Sequence, residues 1–370
     1  MRFVRLLFPY LKYVLAFGLL AWVVASHWDP AKGGGLKGLW QKHFIDGEPF
    51  GWTWALGSLL CQTIALLITL VRWHGLVIAL DLVCPLRDAI RLGLAGNYAS
   101  VVLPGAVGGD LVKAAFLARR QPLGKTRAVA SVLMDRIIAL ANLFLIVSIL
   151  GGISLATGNL EGGLNGKPGF VVQSAWVLAG ITILLWLFLG LLSSHRVHRF
   201  AGRLRTLLPG AAGEAAAHFW LAVHTYRTKP LAVTQALALS WLAQTFMVLS
   251  FFCISQSVTT PEFPSPSLGQ TFLILPVGLI IMAIPLFPGG AGIAELGFGV
   301  LFGWFGASES LGITATLLNR AMVWTLAAFC FIAYAFSRDL DPGQSKEASP
   351  AGETSDPSSE ELKETKSVPM

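Results

Sequence analysis

The chain is short of charge. Asp, Glu, Lys and Arg together make up 13% of its 370 residues, where soluble domains carry about 25%. So few ions cannot cover a surface that faces water on all sides, which argues against an ordinary soluble enzyme or a nucleic-acid-binding domain. Cysteine is scarce as well. The four present (Cys61, Cys84, Cys253 and Cys330) lie in or beside apolar blocks without metal-ligand spacing, so they read as reduced core residues. His195, His198, His218 and His224 fall in one stretch with no acidic cluster to complete a metal site. Gly-x-Ser-x-Gly, a Walker loop and His-Glu-x-x-His are missing, and with them the familiar nucleophile, phosphate and zinc chemistries. The stretch 193–230 is too short to fold as a transferase domain. The expectation is a protein without a cofactor, a metal or catalytic groups of its own.

What is abundant is apolar. Hydrophobic residues make up 54% and the mean hydropathy is +0.66. A bilayer core takes about 20 apolar residues as helix, and six blocks qualify: 6–26, 52–71, 128–150, 171–192, 231–256 and 312–336. Two further regions, 86–118 and 268–305, are interrupted by LPGAVGGD and PLFPGGAGIAE. Proline and glycine break a helix there, and the second limbs, 106–118 and 291–305, are short for a crossing. Both regions read as re-entrant helical hairpins, a form tolerated at membrane depth when buried in protein or lining a wet cavity. The predicted fold class is therefore all-α: a polytopic membrane protein with six spanning helices and two re-entrant hairpins, over 1–337. Residues 338–370, rich in Ser, Pro, Glu and Lys, read as a disordered cytoplasmic tail. Trp220 and Tyr226 with basic flanks suggest an interfacial helix over 207–228.

Charge placement orients this arrangement. With a cytoplasmic N-terminus, the inside segments 1–12, 72–91, 119–127, 193–230 and 337–346 hold 18 Lys and Arg, against 4 in the outside segments. Basic residues accumulate on the cytoplasmic side. Both termini are then cytoplasmic in a cell (inner) membrane, with the first hairpin on the inner side and the second on the outer side.

The chain also repeats itself. At an offset of 184, Pro104-Gly105 falls on Pro288-Gly289, Gly108 on Gly292, Leu133 on Leu317 and Arg136 on Arg320. The halves 52–150 and 231–336 each read span, hairpin, span with an intramembrane arginine. The single span 171–192 between them turns the second half over. Inverted repeats with broken helices near the midplane are a transporter design, in which one half rocks against the other.

Charges at membrane depth are costly and are paired or functional. Here they are Asp110, Lys113, Asp135, Arg136, Glu295 and Arg320. Arg136 and Arg320 each lie 32 residues after their hairpin proline, within reach of apex carbonyls, of Asp110 or Glu295, or of a phosphate. Asp110, Asp135 and Glu295 are candidate proton carriers. The helices restarting near Ala106 and Ala291 would aim free N–H groups at an anion, and Gly105, Gly108, Gly109, Gly289, Gly290 and Gly292 would let a headgroup approach the backbone.

These motifs carry a resemblance. NYASVVLPGAVGGD (Asn97–Asp110) continuing to Lys113, SVLMDR (Ser131–Arg136) and PLFPGGAGIAE (Pro285–Glu295) resemble the signatures of the lysylphosphatidylglycerol synthase transmembrane-region family. This is the flippase-like membrane half of multiple peptide resistance factors, and the resemblance covers about residues 5–337. It implies a multipass protein that moves lipids between leaflets, or that serves an enzyme making aminoacylated or glycosylated lipids. It assigns motif positions to Asn97, Pro104, Gly108, Gly109, Asp110, Asp135, Arg136, Pro288, Gly289, Gly290, Gly292 and Glu295. Ala106 and Val107 stand where the family often has arginine, and the expectation is a protein without the family's aminoacyltransferase domain or a glycosyltransferase domain. The expected function is a lipid translocase for an anionic phospholipid or polyprenyl-phosphate-linked lipid. The alternative is a non-transporting membrane partner of a separate lipid-modifying enzyme. On the charge count, a reporter that is active only outside the cytoplasm stays silent when fused after Ser337. Activity of that fusion overturns the orientation.

Overall fold

The computed structural model describes residues 14–15, 17–28, 35–47, 49–102, 108–121, 124–156, 180, 183, 220, 224–283 and 291–338. Among them the regular structure is helical, and the one extended feature is an isolated antiparallel bridge between Thr260 and Phe263. The helices are α1 (Phe17–Ser26), α2 (Gly35–Phe44), α3 (Trp52–Ala79), α4 (Leu86–Val102), α5 (Gly108–Arg120), α6 (Lys125–Ala156), α7 (Pro230–Gln256), α8 (Leu268–Ala283), α9 (Ile293–Trp304) and α10 (Glu309–Arg338).

Four of these, α3, α6, α7 and α10, are long and apolar enough to cross a membrane. They contain the expected spans 52–71, 128–150, 231–256 and 312–336. α3 has 28 residues and α7 has 27, so each is about 40 Å long at 1.5 Å per residue. Only 17–26 of the first expected span is described as a continuous helix. All of the span 171–192 but 180 and 183, the hairpin breaks 103–107 and 284–290, and most of 338–370 lie outside the described residues. α4 and α5 have 17 and 13 residues, and α8 and α9 have 16 and 12. Each is shorter than a bilayer core requires. The second limbs start at Gly108 and Ile293, two residues beyond the expected Ala106 and Ala291.

Helix boundaries follow the 184-residue offset. It carries α5 onto 292–304, which α9 occupies from Ile293 to Trp304, and it carries the start of α6, Lys125, onto the start of α10, Glu309. The first helices of the two halves, α3 and α7, run antiparallel. At one end the Gly51 N–H donates to the Ser257 carbonyl at 3.0 Å. Ser58 Oγ donates to the Ser250 carbonyl at 2.6 Å, and Ser250 Oγ returns a bond to the Ser58 carbonyl at 2.9 Å. At the other end Tyr226, just before α7, donates its hydroxyl to the Leu76 carbonyl at 2.9 Å. Small serines let the backbones approach closely. Equivalent helices packed antiparallel are what an inverted repeat demands. The halves also interlock, because α10 packs on α4 and α6 on α8; Tyr98 and Phe331 meet with ring centroids 4.6 Å apart.

Two apolar cores lie at opposite ends of the α3–α7 pair. One joins Trp73, Leu76, Ile138, Tyr226 and Ala236. The other joins Phe251, Ile274, Phe298, Phe302 and Leu311. A smaller cluster of Val23, Leu36 and Ile313 fixes α1 and α2 over the second hairpin.

Three sequence-level placements change. Arg72 and Arg91, counted in the loop 72–91, belong to α3 and α4 and are buried. α3 runs two turns beyond residue 71, to a C-terminus where Asp81 takes a left-handed φ of 58°. Removing both arginines leaves 16 inside against 4 outside, so the asymmetry survives. Tyr226 is not an interfacial anchor: it is 2% exposed and belongs to the first core. Nearby, Lys229 Nζ lies 2.5 Å from Asp81 Oδ1 and holds that carboxyl below its usual range, a surface pair of small energetic weight.

The antiparallel register is testable by cross-linking in a variant lacking the native cysteines. Ser58→Cys with Ser250→Cys forms a disulfide under mild oxidation, because the two hydroxyls stand 3.0 Å apart. Ser58→Cys with Thr234→Cys does not, since Thr234 is over four turns away along α7. The check is mobility on a non-reducing gel.

Candidate functional site

A cavity of about 780 Å³ opens between α3, α4, α5, α6, α7, α8 and α10. Its size suits a small-molecule or headgroup site. Most of its wall is apolar, from residues such as Leu66, Leu140, Met247 and Leu279. The exception is a band of ions: Arg72, Asp110, Lys113, Asp135 and Arg136.

Each carboxylate in that band has a specific partner. Arg72 grips Asp135 with a fork, Nε to Oδ1 at 2.8 Å and Nη2 to Oδ2 at 3.1 Å, and its Nη1 donates to Ser240 Oγ at 2.7 Å. Both charges are buried, at 6% and 5% exposure. The three residues come from α3, α6 and α7, so this one knot joins both halves of the repeat. Asp110, third residue of α5, accepts from Arg136 Nε. Its position in the first turn also favours a negative charge through the free N–H groups there. The Arg136 side chain is half exposed, at 49%, and lies along the cavity.

Lys113 is different. Among the described residues it makes no ion pair or hydrogen bond, and its ammonium lies 5.5 Å from the centroid of the Trp73 ring, a cation–π contact. Its stem lies over Gly96, where a Cβ would come within 2.8 Å of two Lys113 carbons. A Cβ on Gly109 would stand 2.2 Å from the Gly96 carbonyl oxygen. The two glycines therefore do joint service: they bring α4 against α5 and leave a channel for the lysine. Among the described residues, three cations and two carboxylates line the cavity, a surplus of one positive charge.

The second half has a matching pair in a different setting. Arg320 Nε donates to Glu295 Oε1 at 2.7 Å, and Glu295 Oε2 accepts the Gly292 N–H at 2.7 Å. Glu295 is third residue of α9, as Asp110 is of α5. It is fully buried, and the cavity does not reach this pair. Gly292 sits at φ 85°, and a Cβ there would lie 2.5 Å from the Leu19 side chain of α1. The Arg72–Asp135 pair has no counterpart: the offset places Gln256 and Asn319 at those positions.

The expected site residues thus divide. Asn97, Gly109, Asp110, Lys113, Asp135 and Arg136 line the cavity. Gly108 is buried at the start of α5, and Glu295 and Arg320 form the enclosed pair, to which Gly292 donates its N–H. Pro104, Gly105, Pro288, Gly289 and Gly290 lie outside the described residues. Sequence reasoning missed Arg72, Gly96, Ser240, Asn142 and Gln244, all on the cavity wall. The available signal was an ion or amide inside an apolar run, and for Arg72 it was lost by ending the span one residue early. No group of three or more potential metal ligands occurs among the described residues.

The family model for the lysylphosphatidylglycerol synthase TM region matches residues 11–330. The chain belongs to this family. No curated protein and no solved structure matches it. The match takes in the first half of the repeat and the second as far as residue 330, with all the ions named on the cavity wall and the enclosed Glu295–Arg320 pair. Four membrane-crossing helices by length and composition make this member an integral, multi-pass helical protein.

The fork is the strongest structural prediction. Arg72→Leu strands Asp135 and lowers stability by about 3–5 kcal/mol. Arg72→Leu with Asp135→Leu recovers most of the loss, since no buried charge is then left alone. Thermal unfolding of detergent-purified variants checks both.

Proposed function

We propose that the protein is a lipid translocase that moves a lipid with an anionic headgroup between leaflets, rather than chemically modifying it. The observation that carries this reading is the surplus positive charge in the cavity. Lys113, uncompensated by a direct carboxylate contact, and Arg136, half exposed along the wall, give an anionic headgroup two cations to meet. The apolar remainder of the wall suits the start of acyl or prenyl chains.

The short limbs fit re-entrant hairpins, with α4–α5 entering from the cytoplasmic side and α8–α9 from the outer side of a cell membrane, both termini being cytoplasmic. Broken helices meeting near the midplane of an inverted repeat are how many transporters build a substrate site. In this reading the Asp110–Arg136 pair serves the substrate and the Glu295–Arg320 pair holds the second hairpin together.

The test is transport by protein reconstituted in liposomes with headgroup-labelled anionic lipids. Wild-type protein moves label between leaflets. Arg136→Lys, which keeps the charge but loses the planar fork, slows it. Arg136→Leu slows it by about 10-fold or more, the scale of a lost charge-assisted hydrogen bond. Folded wild-type protein that moves no anionic headgroup overturns the reading and turns attention to a partner enzyme, sought by co-purification.

A further inference from the structure

The chain divides its charge unevenly along its length. Residues 339–370 hold eight of its 20 carboxylates against three lysines, a net charge of −5. Residues 1–338 hold 24 Lys and Arg against 12 Asp and Glu. An acidic segment therefore follows directly on a basic body.

Cations of that body gather at one end of the bundle, where α3 ends, α4 starts, α5 turns into α6 and α7 starts. Contacts join these parts into one face. Gln121 Nε2, in the turn after α5, donates to the Val83 carbonyl before α4 at 2.7 Å. Asp88 of α4 pairs with Arg120 at 2.6 Å and more loosely with Arg91, and Asp81 pairs with Lys229. Arg127 is near enough to act on the same Asp81 carboxyl. The carboxylates of this face among the described residues, Asp81 and Asp88, are thus already engaged. Arg87, Arg119, Lys125 and Arg127 are exposed and take no part in these ion pairs. α6 starts within the face with Lys125 and Arg127 and no acid in its first turn, although a helix N-terminus favours negative charge. Four exposed cations beside two engaged acids give the face a positive potential.

α10 delivers the acidic segment to this face. It starts at the second core, through Leu311, while α4 starts at the first, through Ala89 and Leu92. The two helices pack side by side and run in opposite directions. They meet where Asn97 Nδ2 donates to Cys330 Sγ at 3.6 Å and where Tyr98 lies against Phe331. Arg338, the last residue of α10, is eight residues past Cys330, about 12 Å at 1.5 Å per residue. Eight residues back along α4 from Asn97 is Ala89. The chain therefore leaves α10 at the level where α4 carries Asp88 and Arg87, and Asp339 and Asp341 follow at once.

We propose that residues 339–370 dock on this face, as an acidic strap that runs from the end of α10 past the start of α4 to the corner between α5 and α6. One exposed ion pair contributes little by itself. Tethering raises the effective concentration of the segment at the face, so several weak pairs act together. The strap ties the end of α5 to the start of α6, the two helices that carry Asp110 and Arg136. Salt releases it by screening. Anionic lipid is the competing occupant of a basic face beside a membrane.

The test is photo-cross-linking of the full chain in phosphatidylcholine nanodiscs, in a variant lacking the native cysteines. Ser345→Cys or Ser358→Cys carries a benzophenone, and mass spectrometry identifies the joined peptides. At low salt the products are expected within residues 80–91 and 119–127 of the same chain. At 1 M sodium chloride, where the screening length is about 3 Å, their yield is expected to fall by about 5-fold or more. Arg119→Glu with Lys125→Glu and Arg127→Glu is expected to lower it equally at low salt. Adding Glu360→Lys, Glu361→Lys and Glu364→Lys to that variant is expected to restore it. Trypsin gives a second reading with the body unchanged, because the face consists of its cleavage sites. Cutting after Arg119, Lys125 and Arg127 is expected to be several-fold slower in the native chain than with Glu360→Gln, Glu361→Gln and Glu364→Gln. Cross-links from both positions that go to lipid, to a second chain or elsewhere on the same chain overturn the docking. So does a yield unmoved by salt and by the reversed face, or equal tryptic rates.

Discussion

An ion surrounded by low-dielectric protein and lipid must find its counter-charge inside the molecule, and the Arg72–Asp135 fork is where this constraint acts hardest. Two buried charges meet through two hydrogen bonds, and the remaining arm of the guanidinium reaches Ser240. The fork fixes the guanidinium plane, so three helices from both halves of the repeat are set at one level. Asp135 is then committed to structure, although its place in an intramembrane helix makes it look available. With it neutralised, the cavity's surplus charge belongs to Lys113, and its adjustable pair is Asp110–Arg136.

The repeat places one arrangement of ions in two settings. Asp110 and Glu295 are each third in a short helix, and each pairs with the arginine of the following long helix. Glu295 also takes the Gly292 N–H and is fully buried, so each of its oxygens has a partner. Asp110 and Arg136 stand on the cavity wall. The second half replaces the Arg72–Asp135 pair by Gln256 and Asn319. Losing both charges together is the change that burial permits, because losing one would leave the other stranded.

Much of this was legible in the sequence, for reasons that can be named. A 20-residue apolar run has few alternatives to a membrane helix, so α3, α6, α7 and α10 were found. A run rich in proline and glycine disfavours a continuous helix, so the short helices on either side of both runs, α4, α5, α8 and α9, were found. The 184-residue offset fixed which elements correspond, and α3 and α7, equivalent by that offset, pack antiparallel. Arg72 was lost because the edge of an apolar run is a poor guide to where a helix ends. Gly96 was lost because its role depends on Lys113 lying across it, a contact between helices that no spacing encodes. Asn142 and Gln244 were lost because a lone amide in an apolar helix has many uses, and only a shared cavity separates these two from the rest.

The same contacts bear on how such a molecule can move. Rocking one half against the other, the motion usually associated with inverted repeats, would shear α3 along α7. That interface is tied near Gly51 and Ser257, at the reciprocal Ser58–Ser250 bonds, by Arg72 to Ser240, and again where Tyr226 meets Leu76. A rigid rotation would break several of these at once. The α4–α5 hairpin is held differently: it closes on itself through Gly96 and Gly109, and its cavity-side ion pair is the contact to Arg136. Shifting α4–α5 against a fixed α3–α7 pair would disturb the Asp110–Arg136 ion pair, the Lys113 contact with Trp73 and the packing of Tyr98 on Phe331. Hydrogen bonds spaced along its length make the α3–α7 pair resist sliding.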